Sequence, residues 1–458
     1  MAKASQKKKL LMPEEKLDEA LIPNTEEPYS VPLNWCWTKM GVVAKWGSGG
    51  TPSRKNDDYY NGTIPWVKTG ELNDDYIWET EEHISEQAIA DSSAKLFPIN
   101  TIIIAMYGAT IGKVGILGLE ATTNQACACG VSSTALLYKY LFYYARSQKE
   151  AFIGMGKGGA QPNISQEIIK EHPIPLPPLT EQQRIVDRIE NLFAKLDEAK
   201  EKAQAVVDGF EDRKAAILHK AFTGELTEKW RDRNGLNLKS WRKLTIKDVC
   251  HDIKVGIVIK PSQYYTEKHL GIPAFRSANV REFHVDDFDW VYLNEIGMQE
   301  NQRSIVHTGD VLIVRSGNPG TACIVDKRYD GYNAIDILIA VPNTDIITSE
   351  YLCAFTNSPL GKSQVAENKR GIALIHFNVS GYSKLRMDLP TIPEQKRIID
   401  LLSMLLNQEK QIYEHACSVI EQIDQMKKSI LARAFRGELG TNDPNDESAI
   451  ELLKRILK

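Results

Sequence analysis

Between Ile185 and Phe210 the apolar residues fall at Ile185, Ile189, Leu192, Leu196, Ala199, Ala203, Val206 and Phe210. The steps alternate between four and three, which makes a heptad seam rather than the broader stripe of a core helix. A second run gives Ile398, Leu402, Leu405, Glu409, Ile412, Ala416, Val419, Ile423, Met426 and Ile430, with Glu409 as its one polar break. Helix starts are marked by Pro177, Pro178 and Thr180 with Gln183, and by Thr391, Pro393 at the first helical position and Glu394; both fit capping boxes. Gly224 and Gly437 are suitable stops. A helix of about 40 residues spans roughly 60 Å and needs a partner for an apolar seam of that length. The pattern predicts that the two runs pack on each other as an intramolecular coiled coil. The heptads alone admit a parallel or an antiparallel pair.

The two runs are copies. Glu181-Gln-Gln-Arg-Ile185 recurs as Glu394-Gln-Lys-Arg-Ile398, and Ala221-Phe-Thr-Gly-Glu-Leu226 as Ala434-Phe-Arg-Gly-Glu-Leu439, both at an offset of 213 (394 − 181 and 434 − 221). Upstream the repeat is looser. Pro32-Leu-Asn-Trp35 resembles Leu238-Lys-Ser-Trp241, and Ile64-Pro-Trp-Val-Lys-Thr69 resembles Ile272-Pro-Ala-Phe-Arg-Ser277 at offset 208 (272 − 64). Thr101 to Ala105, leading into Gly108 and Gly112, resembles Asp310 to Val314, leading into Gly317 and Gly320. Tyr140-Leu141 and Tyr351-Leu352 open similar helical stretches. Scaffold length is fixed and domain loops are free to vary. The expected organisation is an N-terminal extension (1–28), a first domain (29–179), a long-helix spacer (180–228), a second domain (229–392), a second spacer (393–440) and a tail (441–458).

Composition narrows the picture. The chain of 458 residues carries 56 basic and 60 acidic side chains, a net charge of −4, so no overall positive field announces nucleic acid. DNA binding is then expected to rely on partners for most phosphate contacts. The seven cysteines include no C-x-x-C pair, which argues against structural zinc and fits a reducing cytoplasm. No run approaches a membrane span, and the start, with Lys3 and Lys7 to Lys9, lacks the apolar stretch of a secretion signal.

Two similar but non-identical heads on a stiff spacer suit a target with two different halves, since half-sites on one face of DNA lie about 34–36 Å apart per helical turn. At this point the sequence resembles the specificity subunit of type I restriction-modification systems. The resemblance rests on Pro173-Ile-Pro-Leu-Pro-Pro178 running into Thr180-Glu-Gln-Gln-Arg-Ile185, and on its echo Leu389-Pro-Thr-Ile-Pro-Glu-Gln-Lys-Arg-Ile398. It rests also on Ala221-Phe-Thr-Gly-Glu-Leu-Thr-Glu-Lys-Trp230 and on the Gly-Thr-Pro-Ser stretch from Gly50 to Ser53, and covers about residues 29–439. It implies an α/β fold: two similar mixed α/β target-recognition domains separated by two long helices packed as an antiparallel coiled coil, with a pseudo-twofold internal repeat. The antiparallel choice comes from the resemblance. It further implies a non-catalytic subunit that reads double-stranded DNA and docks two modification (methyltransferase) subunits, joined by restriction/translocase subunits. S-adenosylmethionine, and ATP with Mg, are then expected on those partners, with no cofactor in this chain. The rival reading is a two-headed adaptor that binds protein rather than DNA.

Base reading needs Arg, Lys, Asn, Gln, Ser or Thr on loops that reach base edges. The first domain offers Thr51, Ser53, Arg54 and Lys55 after Gly49-Gly50, then Lys68, Thr69 and Asn73, and Lys157, Gln161 and Asn163 on a glycine-rich loop. The second offers Lys260, Ser262, Arg276, Ser277, Asn279 and Arg281, then Arg315, Ser316 and Asn318, and Lys369, Arg370, His376 and Asn378. Catalytic motifs are lacking. Gly108-Ala-Thr-Ile-Gly-Lys113 is one residue short of a phosphate-binding loop, with Val114 where Ser or Thr is needed. Asn318-Pro-Gly320 is not the Asn-Pro-Pro-aromatic motif of amino-methyltransferases, Glu198-Ala-Lys200 lacks an acidic partner for a nuclease site, and the nine histidines show no ligand spacing. No metal site is expected.

Overall fold

The computed structural model describes residues 12–156, 163–367 and 377–458. The chain divides into two units, Met1–Lys202 with Val419–Lys458, and Ala203–Ser418.

In the first unit Cys36–Lys39 pairs antiparallel with Pro173–Leu176, so the domain's first strand closes on its last. The main sheet runs in the order Ala44–Ser48, Cys127–Ser132, Ile102–Ala105, Val114–Leu117, Tyr76–Ile77. Its middle strand is a continuous apolar run with every residue buried, the signature of a strand covered on both faces. A smaller sheet joins His83–Ile84, Ile64–Val67 and Thr122–Thr123, the last two in parallel. The helix Tyr138–Ser147 buries Tyr140, Leu141, Phe142 and Tyr144 on the main sheet. Tyr140 Oη reaches across to donate to the Pro175 carbonyl at 2.8 Å, tying helix to closing strand.

The second unit repeats this plan. Arg242–Thr245 pairs with Arg386–Leu389; the core sheet runs Cys250–Val255, Ile337–Pro342, Val311–Val314, Ala322–Ile324. Ile272–Phe275 lies parallel to Asn333–Ala334, matching Ile64–Val67 beside Thr122–Thr123. The same backbone bond recurs just past both pairs: Asn124 N donates to Val67 O at 3.0 Å, and Ile335 N to Phe275 O at 2.8 Å. Gly49 and Gly256 stand where the edge strand crosses the parallel pair. A Cβ on Gly49 would lie 1.9 Å from Thr123 O, and one on Gly256 2.3 Å from Ala334 O, so only glycine fits either crossing.

The first long helix is not the single rod the periodicity suggests. It runs Leu179–Asp208 and resumes as Phe210–Phe222. Gly209, a poor helix former, marks the break, and there Arg213 Nη2 donates to the Val206 carbonyl at 2.9 Å. The second long helix, Ile392–Ala434, is unbroken. Each unit holds a stretch of both, and in each they run antiparallel. In the first unit Lys200 pairs with Asp424 at 2.7 Å and Lys427 with Asp197. In the second, Arg213 pairs with Glu409 at 2.7 Å and Phe210 stacks on Tyr413 at 4.8 Å.

The seam on the first helix stands for its larger residues: Ile185 and Ile189 are buried, and Leu192, Leu196, Val206 and Phe210 half-buried, though Ala199 is exposed. The second helix needs a correction. Ile398, Leu402, Ala416 and Ile423 are buried and Leu405 and Ile430 half-buried, but Ile412, Val419 and Met426 are 47%, 41% and 49% exposed. The register that sets Glu409 opposite Arg213 and Tyr413 against Phe210 turns that column outward. The inward column lies one residue on, at Leu406, Tyr413, Ile420 and Lys427, all half-buried. Glu409 is therefore a neutralised member of the packed face, and no break in it.

The repeated Glu-Gln motif explains how each domain is fixed to its helix. Gln182 Oε1 accepts from Leu137 N at 2.8 Å while its Nε2 donates to Ala135 O and Pro177 O at 2.9 and 3.0 Å. Gln395 repeats all three bonds with Thr348 N, Ile346 O and Pro390 O, each at 2.9 Å. The neighbouring carboxylates are fully buried. Glu181 accepts from Trp35 Nε1 at 2.7 Å and Asn442 Nδ2 at 2.8 Å. Glu394 accepts from Trp241 Nε1 at 3.0 Å, Arg231 Nη1 at 2.7 Å and Thr227 Oγ1 at 2.8 Å. The expected capping boxes are thus absent: the first helix already starts at Leu179, ahead of Thr180, and at the start of the second, Ile392, the Glu394 carboxylate is turned into the domain. Pro393 is the second helical residue. The stops are as expected, with Gly224 and Gly437 left-handed at φ +85° and +75°.

The tail, unassigned by sequence, belongs to the first unit. Ala449–Leu457 is a helix whose Ala449, Leu452 and Leu453 are buried, and it meets the N-terminal helix Pro13–Ala20. Ala449 N donates to Asn34 O at 2.9 Å.

Candidate nucleic-acid interface

In the first unit three loops meet at one end of the sheets. Gly50 N donates to Thr123 O and Met106 N to Ala126 O, both at 2.9 Å. Thr51 Oγ1 donates to Gln125. Asn163 bridges to Tyr107, and Ile164 N donates to Met106 O at 3.0 Å. Thr51, Ser53, Arg54, Lys55 and Asn163 are exposed; Lys68 and Thr69 are half-buried.

Their charges are not equally available. Arg54 Nη1 lies 2.6 Å from Glu82, and its guanidinium sits 4.1 Å over Tyr60 and 5.1 Å over Trp66. Lys68 Nζ is 2.9 Å from both Glu81 and Glu82. The hydrogen bond from Arg54, more than that from Lys68, holds the Glu82 carboxyl below the usual carboxylate range. Both cations therefore brace the domain, and DNA phosphate would compete with carboxylates for them. Lys55 has no ion pair among the described residues. Asn73 is exposed and lines a separate cleft of about 830 Å³ with Lys68, Tyr76, Trp78 and Glu81.

The second unit builds the same end differently. Gly256 N donates to Ile337 O and Ile257 N to Ala334 O, at 2.9 and 2.8 Å. Asp336, left-handed at φ +50°, takes Arg315 Nη1 at 2.5 Å, and Phe377 N donates to Arg315 O at 3.2 Å. Lys260, Ser262 and Asn318 are exposed, and Ser277 and Ser316 half-buried. Arg276 faces Asp289 at 2.8 Å. Asn378 is exposed and accepts from Gly381 N at 2.8 Å, capping the helix Val379–Ser383.

Three candidates are corrected. Asn279 is fully buried: it accepts from Arg276 N at 3.0 Å and donates to Phe288 O at 2.8 Å and Asp286 O at 3.3 Å. Its amide is consumed by a turn and has nothing left for a base. Arg315 is only 11% exposed, with Nη1 on Asp336 and Nε donating to Phe377 O at 3.0 Å; it ties two loops together. Arg281 is turned onto its own hairpin, donating to Ser277 O and Val280 O and facing Asp286 at 3.3 Å. Lys157, Gln161, Lys369, Arg370 and His376 lie outside the described residues.

The sequence reading passed over Tyr107, 45% exposed beside Asn163, and Val258 and Ile259, 49% and 81% exposed in the second cluster. A signal for the last two exists. From Gly49 to Pro52 the chain takes three steps (52 − 49), and from Gly256 to Pro261 five (261 − 256). Among the described residues no group of three or more His, Cys, Asp or Glu is placed to hold a metal, and no helix is long and apolar enough to cross a membrane.

Each unit thus carries a mixed α/β domain of the same plan on a stretch of both long helices, with matched sheet ends and unlike loops. Residues 32–207 match the family described as the type I restriction modification DNA specificity domain. The chain is 24% identical over 425 residues to the type I restriction enzyme EcoKI specificity subunit of Escherichia coli K12, covering 87% of this chain and 88% of that one. It is 22% identical over 422 residues to the MjaIX specificity subunit of Methanocaldococcus jannaschii, covering 89% and 94%. The fold matches the crystal structure of the HsdS subunit from Thermoanaerobacter tengcongensis with a TM-score of 0.62 at 20% identity, over 91% of this chain and all of that one. The resemblance drawn from the duplicated motifs is borne out: the chain is similar to type I specificity subunits along most of its length.

Proposed function

We propose that this chain is the DNA sequence-recognition subunit of a type I restriction-modification complex. Each domain reads one half of a split, asymmetric double-stranded target, and the subunit docks modification and restriction partners in the cytoplasm. The observation that carries the reading is the duplicated sheet end, whose loops differ between the units while the helix motifs that carry the domains repeat at a fixed offset of 213 (394 − 181). Identical readers would call for a palindrome; unlike readers call for two different half-sites.

Methyl transfer to adenine, with S-adenosylmethionine, belongs on the modification subunits, and ATP with Mg on the restriction subunit; this chain acts without catalysis of its own. Among the described residues few cations on the two clusters are free of carboxylates, so the isolated chain is expected to bind DNA weakly and the assembled complex tightly, with the steep salt dependence of phosphate contacts. The test is to co-express the chain with a modification subunit encoded beside it and map methylated adenines across a genome. A bipartite motif methylated on opposite strands is expected. Replacing residues 29–178 with the equivalent domain of another specificity subunit should change one half only. Methylation without a split motif, or no DNA protection by the assembled complex, would favour a protein-binding adaptor instead.

A further inference from the structure

We propose that Ile259 reads a thymine in the half-site served by the second domain, by packing its side chain on the 5-methyl group in the major groove. This rests on the DNA-recognition reading above and names one specificity-determining contact within it.

Ile259 is 81% exposed and Val258 49%. Exposing a large aliphatic side chain forgoes burial free energy, yet this one is held out on a constrained loop. The chain is paired up to Ile257, which donates to Ala334 O at 2.8 Å and accepts from Asp336 N at 3.0 Å. Lys260 is then left-handed at φ +39°, and Pro261 begins the next short turn, closed by Gln263 N donating to Lys260 O at 3.1 Å. Fixed at both ends, Val258 and Ile259 leave the sheet beside Asp336, the residue that anchors Arg315. They sit in the loop cluster that carries Ser316 and Asn318.

Two observations favour DNA as the occupant. Lys260, the next residue, is exposed and has no ion pair among the described residues, so a phosphate can take it without displacing a carboxylate. In the first domain Gly50 matches Ile257, and before Pro52 only Thr51 follows, engaged by Gln125. The two heads therefore differ at this loop, as readers of different half-sites must. In the major groove only thymine presents an apolar group, and aliphatic contact with that methyl is an established mode of direct readout.

The experiment uses the chain assembled with its modification subunit and duplexes carrying the mapped site. Each thymine in the second domain's half is replaced in turn by deoxyuridine, which lacks only the methyl group. Wild-type complex is expected to lose affinity at one position by about fourfold, the worth of one buried methyl-sized group. Ile259→Ala should bind the thymine duplex as weakly as wild type binds the uracil one, and should lose no more at that position. Deoxyuridine effects in the other half-site should be unchanged, which shows that the variant is folded and assembled. Independent, additive losses at every position would overturn the proposal, as would a second half-site with no thymine on either strand. If wild-type complex recognised no bipartite site at all, the recognition reading itself would fall, and this contact with it.

Discussion

Two buried carboxylates at equivalent positions of a duplicated motif hold their domains in different company. Glu394 meets a cation: Arg231, itself 6% exposed, lies 2.7 Å away, with the Trp241 indole and the Thr227 hydroxyl completing the shell. Glu181 keeps the indole, from Trp35, but Asn442 and Thr441 stand in for the cation and hydroxyl. The difference follows from chain order. After the first long helix the chain continues through Ala221-Phe-Thr-Gly-Glu-Leu226 into Thr227 and Arg231, which serve the second unit. After the second, Ala434-Phe-Arg-Gly-Glu-Leu439 runs into the tail, which serves the first. The same mechanical task, pinning a domain to the start of its helix, is done by an ion pair in one unit and by neutral donors plus a packed terminal helix in the other. A buried charge is tolerated where partners satisfy it, and here two unlike sets do so.

The largest break in this comparison is removal of residues 441–458. It takes away Leu452 and Leu453, both buried, at about 1.5–3 kcal/mol each, and leaves the buried Glu181 carboxylate with the Trp35 indole as its remaining side-chain donor. We expect the first unit to lose about 5 kcal/mol or more and the second to be unaffected. Unfolding followed at tryptophans of each unit separates them, and equal loss in both would refute the assignment of the tail to the first.

Next in size is Arg231→Met, which leaves the Glu394 carboxylate buried without its cation. The second unit should lose about 3–5 kcal/mol. Adding Glu394→Gln should restore much of that, because the double variant buries no charge. A double variant as unstable as the sum of the two single changes would mean that the pair is not coupled. On the helices, Ile423→Ala should cost about 2–4 kcal/mol as a buried deletion, whereas Val419→Ala on the outward column should cost under about 0.5 kcal/mol. Reversal of that order would restore the heptad seam drawn from sequence.

That seam shows what sequence could and could not give. The period of the apolar residues located both long helices, and the fixed offset made them copies, because helix length and packing constrain every residue. The same period misplaced Ile412, Val419 and Met426, because one ion pair and one ring contact, Arg213–Glu409 and Phe210–Tyr413, rotate the face by one position. The reason for Gly49 and Gly256, backbone crossing backbone, exists only in three dimensions. At the candidate interface the residue types suited to bases were easy to name. Which of them are committed to the domain was not: Asn279, Arg281 and Arg315 are consumed by backbone carbonyls and by Asp286 and Asp336, partners distributed across the fold. Exposed Ile259 carries no polar signature and was passed over for that reason.

The smallest effect separates the two carboxylates most cleanly. Burial pushes the Glu181 carboxyl above its ordinary value of 4.5, against the pull of its bonds from Trp35, Asn442 and Thr441 and of the Arg184 charge. A folded-state pKa raised in this way gives a stabilising contribution that is complete below about pH 4 and is lost as pH rises through the folded value. Glu181→Gln keeps an acceptor for the indole and removes the titration. Near neutral pH the substitution should then shift the first unit's stability by no more than about 1 kcal/mol. The difference between wild type and variant should move against wild type as pH rises from 4 to 7. Measured by denaturant unfolding at several pH values, a difference that moved in wild type's favour would mean that Glu181 is held as a stabilised anion, as a cation would hold it, and the contrast with Glu394 would disappear.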